Sequence, residues 1–347
     1  MEVAIGLLAH NEERRIEGTL KSLFGQSIFA SETRASLGID RLSVVCVPNG
    51  CTDQTVGIIR KFSDGLIPDA GLSFECHELA EAGKSRAWNF FVHEASLSTV
   101  HYLVLIDADI EFGSPDVLQK LIAHIEANTR LAVVTDRPIK STKRKFSRSV
   151  KDKLSLAASN QVETEGKLSG QVYCGRAEVL RQIWMPLALP VEDGFLAAMI
   201  ETDGFTRSGQ SGLIAQAPNA FHFFQTHETL IEFLRHESRI VVGSTINAWL
   251  FALLWKEGSS GHVGEFIRKE NERDQKWLDK LVKTRASESW WLVPSSFIFK
   301  RVLNLKGRPW PTQLLMLPVA LGASLLQALV CLRANSLLRQ EGSVRLW

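Results

Sequence analysis

Two aspartates, Asp107 and Asp109, follow the apolar run Tyr102–Ile106 and are separated by one alanine. Side chains at i and i+2 of an extended chain point to the same side, so the two carboxylates lie close together. The apolar run offers no cationic partner, and unpaired carboxylates repel each other unless a cation lies between them. Carboxylate oxygens suit Mg²⁺ or Mn²⁺, which also bind substrate phosphates. The pair predicts a divalent metal–phosphate site, with a capping Asp pair as the alternative.

A layered α/β framework is predicted to hold these carboxylates. Short apolar runs of strand length occur at Val3–Ala9, Leu42–Val47, Leu72–Leu79, Tyr102–Ile106 and Leu131–Thr135. Between them, helical spacing or capping residues occur at Ile16–Phe24, Thr52–Ile59, Gly83–Glu94 and Pro115–Asn128. Apolar strands that alternate with helices indicate βαβ units and a parallel sheet covered on both faces.

Polar or glycine-containing segments follow four of these strands, at His10–Glu12, Pro48–Gly50, Ala82–Lys84 and Asp107–Asp109. Ligands of open α/β sheets bind beyond the carboxyl ends of the strands. The four segments together therefore form the predicted binding edge of the sheet.

The chain resembles the family 2 glycosyltransferases of the GT-A fold over about residues 3–240. The matching segments, in the family's order, are Asn11–Glu13, Val47–Thr55, Gly83–Asn89, Asp107–Asp109 and Glu192–Asp193. The resemblance implies a mostly parallel sheet flanked by helices, with a helical C-terminal appendage. It also implies an inverting, metal-dependent enzyme that moves a sugar from a nucleotide-diphosphate donor, usually UDP-linked, to an acceptor hydroxyl.

The resemblance also assigns roles to single residues. It implies that Asp193 is the general base and that Glu192 positions the acceptor. Nucleotide-sugar contacts are implied for Ala9, Asn11, Glu12, Asn49, Lys84, Arg86 and Asp107. The implied metal ligands, for Mn²⁺ or Mg²⁺, are Asp107, Asp109 and His222, although His222 also reads as a core or surface histidine. The resemblance also implies that Gly170, in the segment Ser169–Gly175, and Arg239 lie on the acceptor side of the site.

Arg239 is the one residue that fits the Gln-x-x-Arg-Trp motif of the processive members, since His236 and Ile240 replace the other two. This departure predicts a single transfer rather than synthesis of a long polymer. We therefore expect the acceptor to be a lipid-linked, membrane-proximal or other saccharide.

The chain is predicted to divide into a catalytic part, residues 1–235, and a helical, Trp-rich part, residues 236–347. Within the first part, about 1–110 form the nucleotide-sugar half and about 111–235 the acceptor half. The second part has charge-free runs at Ile240–Trp255 and Pro309–Leu332 and holds seven of the nine tryptophans. Tryptophan beside Lys or Arg is typical of a membrane interface. Three interpretations of the C-terminal charge-free run remain open: an interfacial or re-entrant membrane segment, a spanning helix, or a soluble hairpin or oligomer contact.

The stretch Arg137–Lys153 is basic, and it reads either as a solvated loop or as a contact for anionic lipid or a phosphorylated substrate. Over the whole chain, 40 Lys+Arg against 38 Asp+Glu give a net charge of +2, which argues against a nucleic-acid binder. The 347 residues are 45% hydrophobic and 22% charged, which excludes intrinsic disorder.

The five cysteines show no CxxC pair and no Cys/His metal spacing, which suits a reducing cytosol. The opening Met1–Ile5 carries an acid and no basic region, so no signal peptide is predicted. The expected location is the cytoplasm, at the cytoplasmic face of a membrane.

Two other functions remain as alternatives. A sugar-phosphate nucleotidylyltransferase would need a Gly-rich, basic loop after the first strand, where this chain has His10–Glu13. A non-catalytic glycan- or lipid-binding relative is opposed by the presence of Asp107, Asp109 and Asp193.

Overall fold

The structure is a computed structural model that describes residues 1–67, 69–141, 168–224, 230–298, 305 and 310–340. Its centre is an eight-stranded sheet in the order β3-β2-β1-β4-β7-β6-β8-β5. The strands are β1 (Glu2–Ala9), β2 (Arg41–Pro48), β3 (Leu72–Cys76), β4 (Tyr102–Asp107), β5 (Ile110–Phe112), β6 (Val133–Lys140), β7 (Val172–Arg176) and β8 (Ile214–Phe224).

The first half of the sheet is parallel, as the alternation of apolar runs and helices predicts. Strand β1 pairs in parallel with both β2 and β4, and β2 pairs in parallel with β3. The register places Ala9 opposite Pro48, and Leu8 opposite Asp107. Three strands therefore end at the same level, and the polar segments that follow them share one edge.

The second half of the sheet is mixed, and the sheet as a whole is mostly parallel, as expected, with four parallel and three antiparallel pairings. Strand β7 lies between β4 and β6 and is antiparallel to both. Strand β8 is parallel to β6 and antiparallel to β5. The predicted strand Leu131–Thr135 corresponds to β6, which begins at Val133 and is separated from β4 by β7. Local patterning identifies a strand but not its neighbour, and this pairing is decided over long sequence distances.

The helices cover both faces of the sheet, which buries two apolar clusters. Helices α1, α3 and α5 lie on one face, and α4, α7 and α8 on the other. The bounds are α1 (Ile16–Phe24), α2 (Ser31–Ser36), α3 (Thr55–Asp64), α4 (Lys84–Phe90), α5 (Val117–Ala127), α6 (Ala177–Leu180), α7 (Glu192–Glu201), α8 (Leu230–Glu257), α9 (Val263–Arg273), α10 (Trp277–Glu288) and α11 (Trp310–Gln340).

The C-terminal helices pack directly on the acceptor half, at contacts that only glycine permits. A Cβ at Gly243 in α8 would lie 2.2 Å from the Val191 side chain. A Cβ at Gly264 in α9 would lie 2.1 Å from the backbone oxygen of Gln182. Since real Cβ atoms do not approach other atoms this closely, a larger residue would force the helices away from residues 182–191.

Within the described residues, two helices are long and apolar enough to cross a membrane, judged by length and composition alone. Leu234–Glu257 is half buried by the protein, whereas only 17% of the apolar window in Met316–Gln340 is buried. The first therefore resembles a core helix, and the second leaves most of its apolar surface uncovered. Most of the basic stretch, residues 142–153, lies outside the described residues, as do Arg308, Pro309 and Trp347.

Candidate active site

The loops after β1 and β2 are joined by the side chain of Asn49. Its amide donates to the Ala9 carbonyl at 2.8 Å and accepts from the Gly83 backbone N–H at 2.9 Å. The side chain is 2% exposed. Both ends of the Asn49 amide are used inside the protein, and the nucleotide contact expected for Asn49 stays a prediction. Asn49 holds the predicted Ala9 segment against the start of α4.

Asn11 joins the same two loops at the surface. Its side-chain oxygen accepts from the Thr52 N–H at 2.8 Å, and its backbone has a positive φ of 53°. The Glu12 N–H donates to the Thr55 hydroxyl at 2.7 Å. These bonds place Asn11 and Glu12 at the carboxyl edge of β1 and β2, which is where the sequence predicts nucleotide contacts.

Lys84 is the centre of a charged cluster at the end of β4. Its ammonium lies 2.6 Å from the Asp107 carboxylate, 2.7 Å from that of Glu192 and 3.3 Å from the Gly170 carbonyl. A lysine ammonium has three N–H donors, and all three have protein acceptors here. Lys84 therefore joins the end of β4 to residues 170 and 192. The diphosphate contact expected for Lys84 requires one of these bonds to be exchanged.

Burial and crowding of like charges dominate the electrostatics of the cluster. Burial raises the pKa of Asp107 to about 7, Lys84 opposes this rise, and Asp109 and Glu192 add to it. Burial by itself lowers the pKa of Lys84, but the carboxylates of Asp107 and Glu192 outweigh it and the net shift is upward. The lysine stays an ammonium, and one positive charge is shared by two mostly buried carboxylates.

Asp109 lies in the turn between β4 and β5, and its side chain is 29% exposed. Arg15 lies 3.9 Å from it and 3.4 Å from Glu12. Burial raises the pKa of Glu12, and the charge of Asp109 raises it further. Asp109 and Glu12 thus form an acidic pair that a single arginine compensates only in part.

This donor set fits a hard cation that is completed by substrate oxygens. Mg²⁺ is commonly held by one or two carboxylates, phosphate oxygens and water. Asp109 supplies a partly exposed carboxylate, and Asp107 supplies a second if Lys84 releases it. A site made of protein side chains alone does not fit, because no three His, Cys, Asp or Glu side chains of the described ranges surround a common point.

His222, the third metal ligand that the family resemblance implies, has protein partners on both ring nitrogens, and its metal role stays a prediction. Its ring is fully buried, with Nδ1 at 2.8 Å from both carboxylate oxygens of Asp136 and Nε2 at 3.2 Å from the Gln171 side chain. Both ring nitrogens already have partners, so the ring has no lone pair directed at Asp109. The Gln171 carbonyl in turn accepts the Asp107 N–H at 2.8 Å. His222 and Asp136 therefore support the end of β4 from behind.

Asp193 lies in the first turn of α7 and close to the Lys84 cluster. A Cβ at Gly170 would lie 3.0 Å from the Asp193 Cβ and 3.6 Å from the Glu192 carboxylate, so Gly170 permits the close approach expected on the acceptor side. Burial raises the pKa of Asp193, and Glu192 adds to the rise. In the part of the chain that the structure describes, no ion pair includes Asp193, whereas Glu192 is bound by Lys84.

Arg86 is placed differently from the expectation. It forms an ion pair with Glu81 and donates to the Gln275 side chain at 3.1 Å, which ties α4 to the loop between α9 and α10. The predicted contact of Arg86 with a diphosphate would require it to exchange one of these partners, and it stays a prediction. Arg239 lies in α8, one turn before Gly243, and its predicted role on the acceptor side stays a prediction.

Sequence reasoning passed over several residues that the structure places at the site. Arg15 lies beside Asp109, Gln171 lies behind Asp107, and Asn247 lies against the segment before Glu192. The position of Arg15 at the site could have been predicted from the sequence, because Arg15 follows Asn11–Glu13 and directly precedes α1. Gln171 and Asn247 had none, since their partners are far away in the sequence.

Several solved structures resemble the fold. PcManGT, a mannosyltransferase from Pyrobaculum calidifontis solved with GDP-Man and Mn²⁺, aligns with a TM-score of 0.55 and 16% identity, covering 98% of this chain and 87% of that one. S. aureus TarS 1–349 with UDP-GlcNAc gives 0.45 and 14%, covering 98% and 91%. Glucosyl-3-phosphoglycerate synthase from Mycobacterium tuberculosis, solved with Mg²⁺ and UDP, gives 0.41 and 19%, covering 69% and 78%.

No curated protein matches the chain in sequence. The family model described as Glycosyl transferase family 2 matches residues 5–183, which is just over half of the chain. This match covers the parallel half of the sheet, the Asp107–Asp109 turn and the Gly170 segment. The chain therefore belongs to glycosyl transferase family 2, and it has the GT-A fold of a glycosyltransferase.

Proposed function

We propose that the protein is an inverting, metal-dependent glycosyltransferase that moves a sugar from a nucleoside-diphosphate sugar to an acceptor hydroxyl. The observation that carries the proposal is the approach of Asp193 and Gly170 to the Lys84–Asp107 pair at the carboxyl end of β4. An unpaired carboxylate thus lies next to the edge where the family binds its donor.

The unpaired Asp193 is suited to accept a proton. A general base works best when its pKa is near the working pH, and burial raises the pKa of Asp193 toward that range. Asp193 takes the proton of the acceptor hydroxyl at a carboxylate oxygen as the hydroxyl oxygen attacks the anomeric carbon. Lys84 holds Glu192 aside, which leaves Asp193 as the base, and Asn11 and Glu12 line the nucleotide.

Asp109 and Asp107 would hold a divalent cation, Mn²⁺ or Mg²⁺, and the bound cation would neutralise the charge that develops on the leaving diphosphate. The donor is a UDP sugar by family resemblance. Because PcManGT was solved with GDP-Man, both nucleotides belong in the test.

A lipid-linked or membrane-proximal acceptor at the cytoplasmic face fits the C-terminal surface. Helix α11 exposes a series of apolar residues, among them Val319, Leu321, Leu325, Leu329 and Leu332. Trp310 and Trp290 are also exposed, at 72% and 77%. An apolar face with tryptophans and basic residues at its ends is the pattern of a segment that lies in a membrane interface.

The proposal is tested by measuring binding and hydrolysis for UDP-glucose, UDP-GlcNAc and GDP-mannose, each with Mn²⁺, Mg²⁺ or EDTA. We expect one donor to bind in the presence of metal and to release its nucleoside diphosphate slowly. Asp109→Ala should abolish hydrolysis and remove the effect of metal on binding. The matched control is Asp64→Ala, which removes a carboxylate at the end of α3, away from the site.

Turnover by Asp109→Ala in EDTA at the wild-type rate would show that the metal assignment is wrong. Failure of every donor to bind, in a protein with native circular dichroism, would favour a non-catalytic relative.

A further inference from the structure

The segment that leads into the catalytic turn is held by helix α8, which comes from the C-terminal part of the chain. The Asn247 amide donates to the Val191 carbonyl at 3.0 Å, across 56 residues of sequence. Val191 directly precedes Glu192 and Asp193. Asn247 is 5% exposed and the bond is partly buried, which strengthens it relative to a bond in open solvent.

Asn247 also faces the residue on the other side of the acidic pair. A Cβ added at Gly194 would be in ordinary van der Waals contact with the Asn247 amide nitrogen, at 3.5 Å. The Asn247 side chain therefore bonds Val191 and lies over Gly194, the two residues that bracket Glu192 and Asp193.

Gly243, one turn earlier in α8, brings the helix close enough for this contact. A Cβ at this position would lie 2.2 Å from the Val191 Cγ2 and 2.8 Å from its Cβ. Helix α8 is therefore in direct contact with the Val191 side chain. Gly170 also lies close to the acidic pair, since a Cβ there would lie 3.0 Å from the Asp193 Cβ. The catalytic turn is thus fixed between the Gly170 segment and α8.

We propose that Asn247 and Gly243 are positioning residues that set the place of Asp193 for proton abstraction. This inference rests on the proposed function, in which Asp193 is the base. Catalytic groups must be held close to their productive geometry, and a misplacement of about 1 Å can reduce the rate about 100-fold. The C-terminal helical part is then needed for catalysis itself and not only for location.

The experiment compares Asn247→Leu, Asn247→Ala and Gly243→Ala with the wild-type chain. The readouts are the rate of nucleoside-diphosphate release from the donor found in the panel above and the dissociation constant of that donor. We expect the rate to fall about 10- to 100-fold, with the dissociation constant changed less than about threefold, since Asn247 and Gly243 do not touch the donor edge. Thermal unfolding and circular dichroism identify any variant that fails to fold.

The matched control is Thr245→Val, on the same helix. Thr245 is buried, and its hydroxyl donates to the Val241 carbonyl of its own helix at 2.8 Å. Valine keeps the shape and removes only that bond. We expect Thr245→Val to keep the wild-type rate.

A double-mutant cycle separates positioning from general support. If Asn247 acts through Asp193, Asn247→Leu should cause little further loss in an Asp193→Asn background. The positioning role alone would be overturned if Asn247→Leu caused equal losses in both backgrounds. It would also be overturned if Asn247→Leu folded and kept wild-type turnover while Asp193→Asn was inactive. Wild-type turnover by Asp193→Asn would overturn the base assignment of the proposed function.

Discussion

At the scale of single residues, one ammonium distinguishes two adjacent carboxylates. Lys84 binds Glu192 at 2.7 Å, whereas Asp193 accepts a bond from the Gly194 N–H of its own helix at 2.8 Å. The Lys84 ammonium occupies the Glu192 carboxylate, whereas the partner of Asp193 is a backbone N–H. The two adjacent acids, Glu192 and Asp193, therefore differ in chemistry because they have different partners.

Asp193→Asn should reduce the rate of donor hydrolysis about 10²- to 10⁴-fold, because it removes the basic site and keeps the shape. The donor dissociation constant should stay near the wild-type value. Glu192→Gln should reduce the rate less, since it removes a partner of Lys84 and leaves Asp193 in place. Stopped-time assays and donor titrations of both variants measure this difference. An inactive Glu192→Gln beside an active Asp193→Asn would move the base to Glu192.

At the scale of elements, α4 carries Lys84 at its first residue and is anchored at its far end by His93. The helix continues into a π-helical turn, Phe91–Ala95. The His93 ring stacks on Trp184 with centroids 3.8 Å apart, and its Nε2 lies 2.9 Å from the Ile183 carbonyl. This contact ties the turn after α4 to the segment that leads toward Asp193.

His93 makes this contact sensitive to acid. Burial, opposed by the bond to Ile183 and assisted by the charge of Arg181, lowers the pKa of His93 to about 4. Since the folded-state pKa is below the unfolded value of about 6.5, the unfolded state binds more protons between these values. The contribution of the neutral ring is therefore complete above about pH 6.5 and is lost as the pH falls toward 4. For a ring that is partly exposed, we expect about 2 kcal/mol.

Urea unfolding of the wild-type chain and of His93→Gln, at pH 7.5 and pH 4.5, measures this contribution. The wild type should be more stable than His93→Gln at pH 7.5, and the difference should shrink at pH 4.5. The exposed His262, replaced in His262→Gln, is the control and should show no such change. A constant difference between wild type and His93→Gln at both pH values would contradict the assignment.

At the scale of the whole molecule, the apolar surface is distributed unevenly. One side of α11 is buried against α8 and its neighbours through Val330, Cys331, Ala334 and Leu338, and the other side exposes leucines along its length. A large exposed apolar patch in a folded protein marks an interaction site. Basic residues at Arg333 and Arg339 and the exposed Trp310 favour a lipid surface as its partner.

We expect the protein to float with vesicles that contain anionic phosphatidylglycerol, and less with pure phosphatidylcholine. Leu325→Gln combined with Leu329→Gln should reduce flotation, because both side chains are more than half exposed. Ile67→Gln is the matched control, since Ile67 is 87% exposed outside the patch. If the protein does not float, and gel filtration shows a dimer that the leucine variant dissociates, then α11 is an oligomer contact instead.

The sequence by itself determined the parallel half of the sheet and the edge where the site forms. Apolar runs of strand length predicted β1, β2, β3 and β4, and capping and helical spacing predicted α1, α3, α4 and α5. Asp107 and Asp109 were identified correctly at the end of a buried strand. These features are local, because the periodicity of apolar residues encodes an element without reference to distant residues.

Only the tertiary structure decided which side chains meet at that edge. It directs Asn49 inward, turns Arg86 to Gln275 across 189 residues, and pairs His222 with Asp136 across 86 residues. It also places Lys84 between Asp107 and Glu192, and Asn247 against Val191. The reason is that strand β7 inserts between β4 and β6, and α8 packs on the acceptor half. A side chain's partner depends on such long-range pairings, which no local pattern in the sequence encodes.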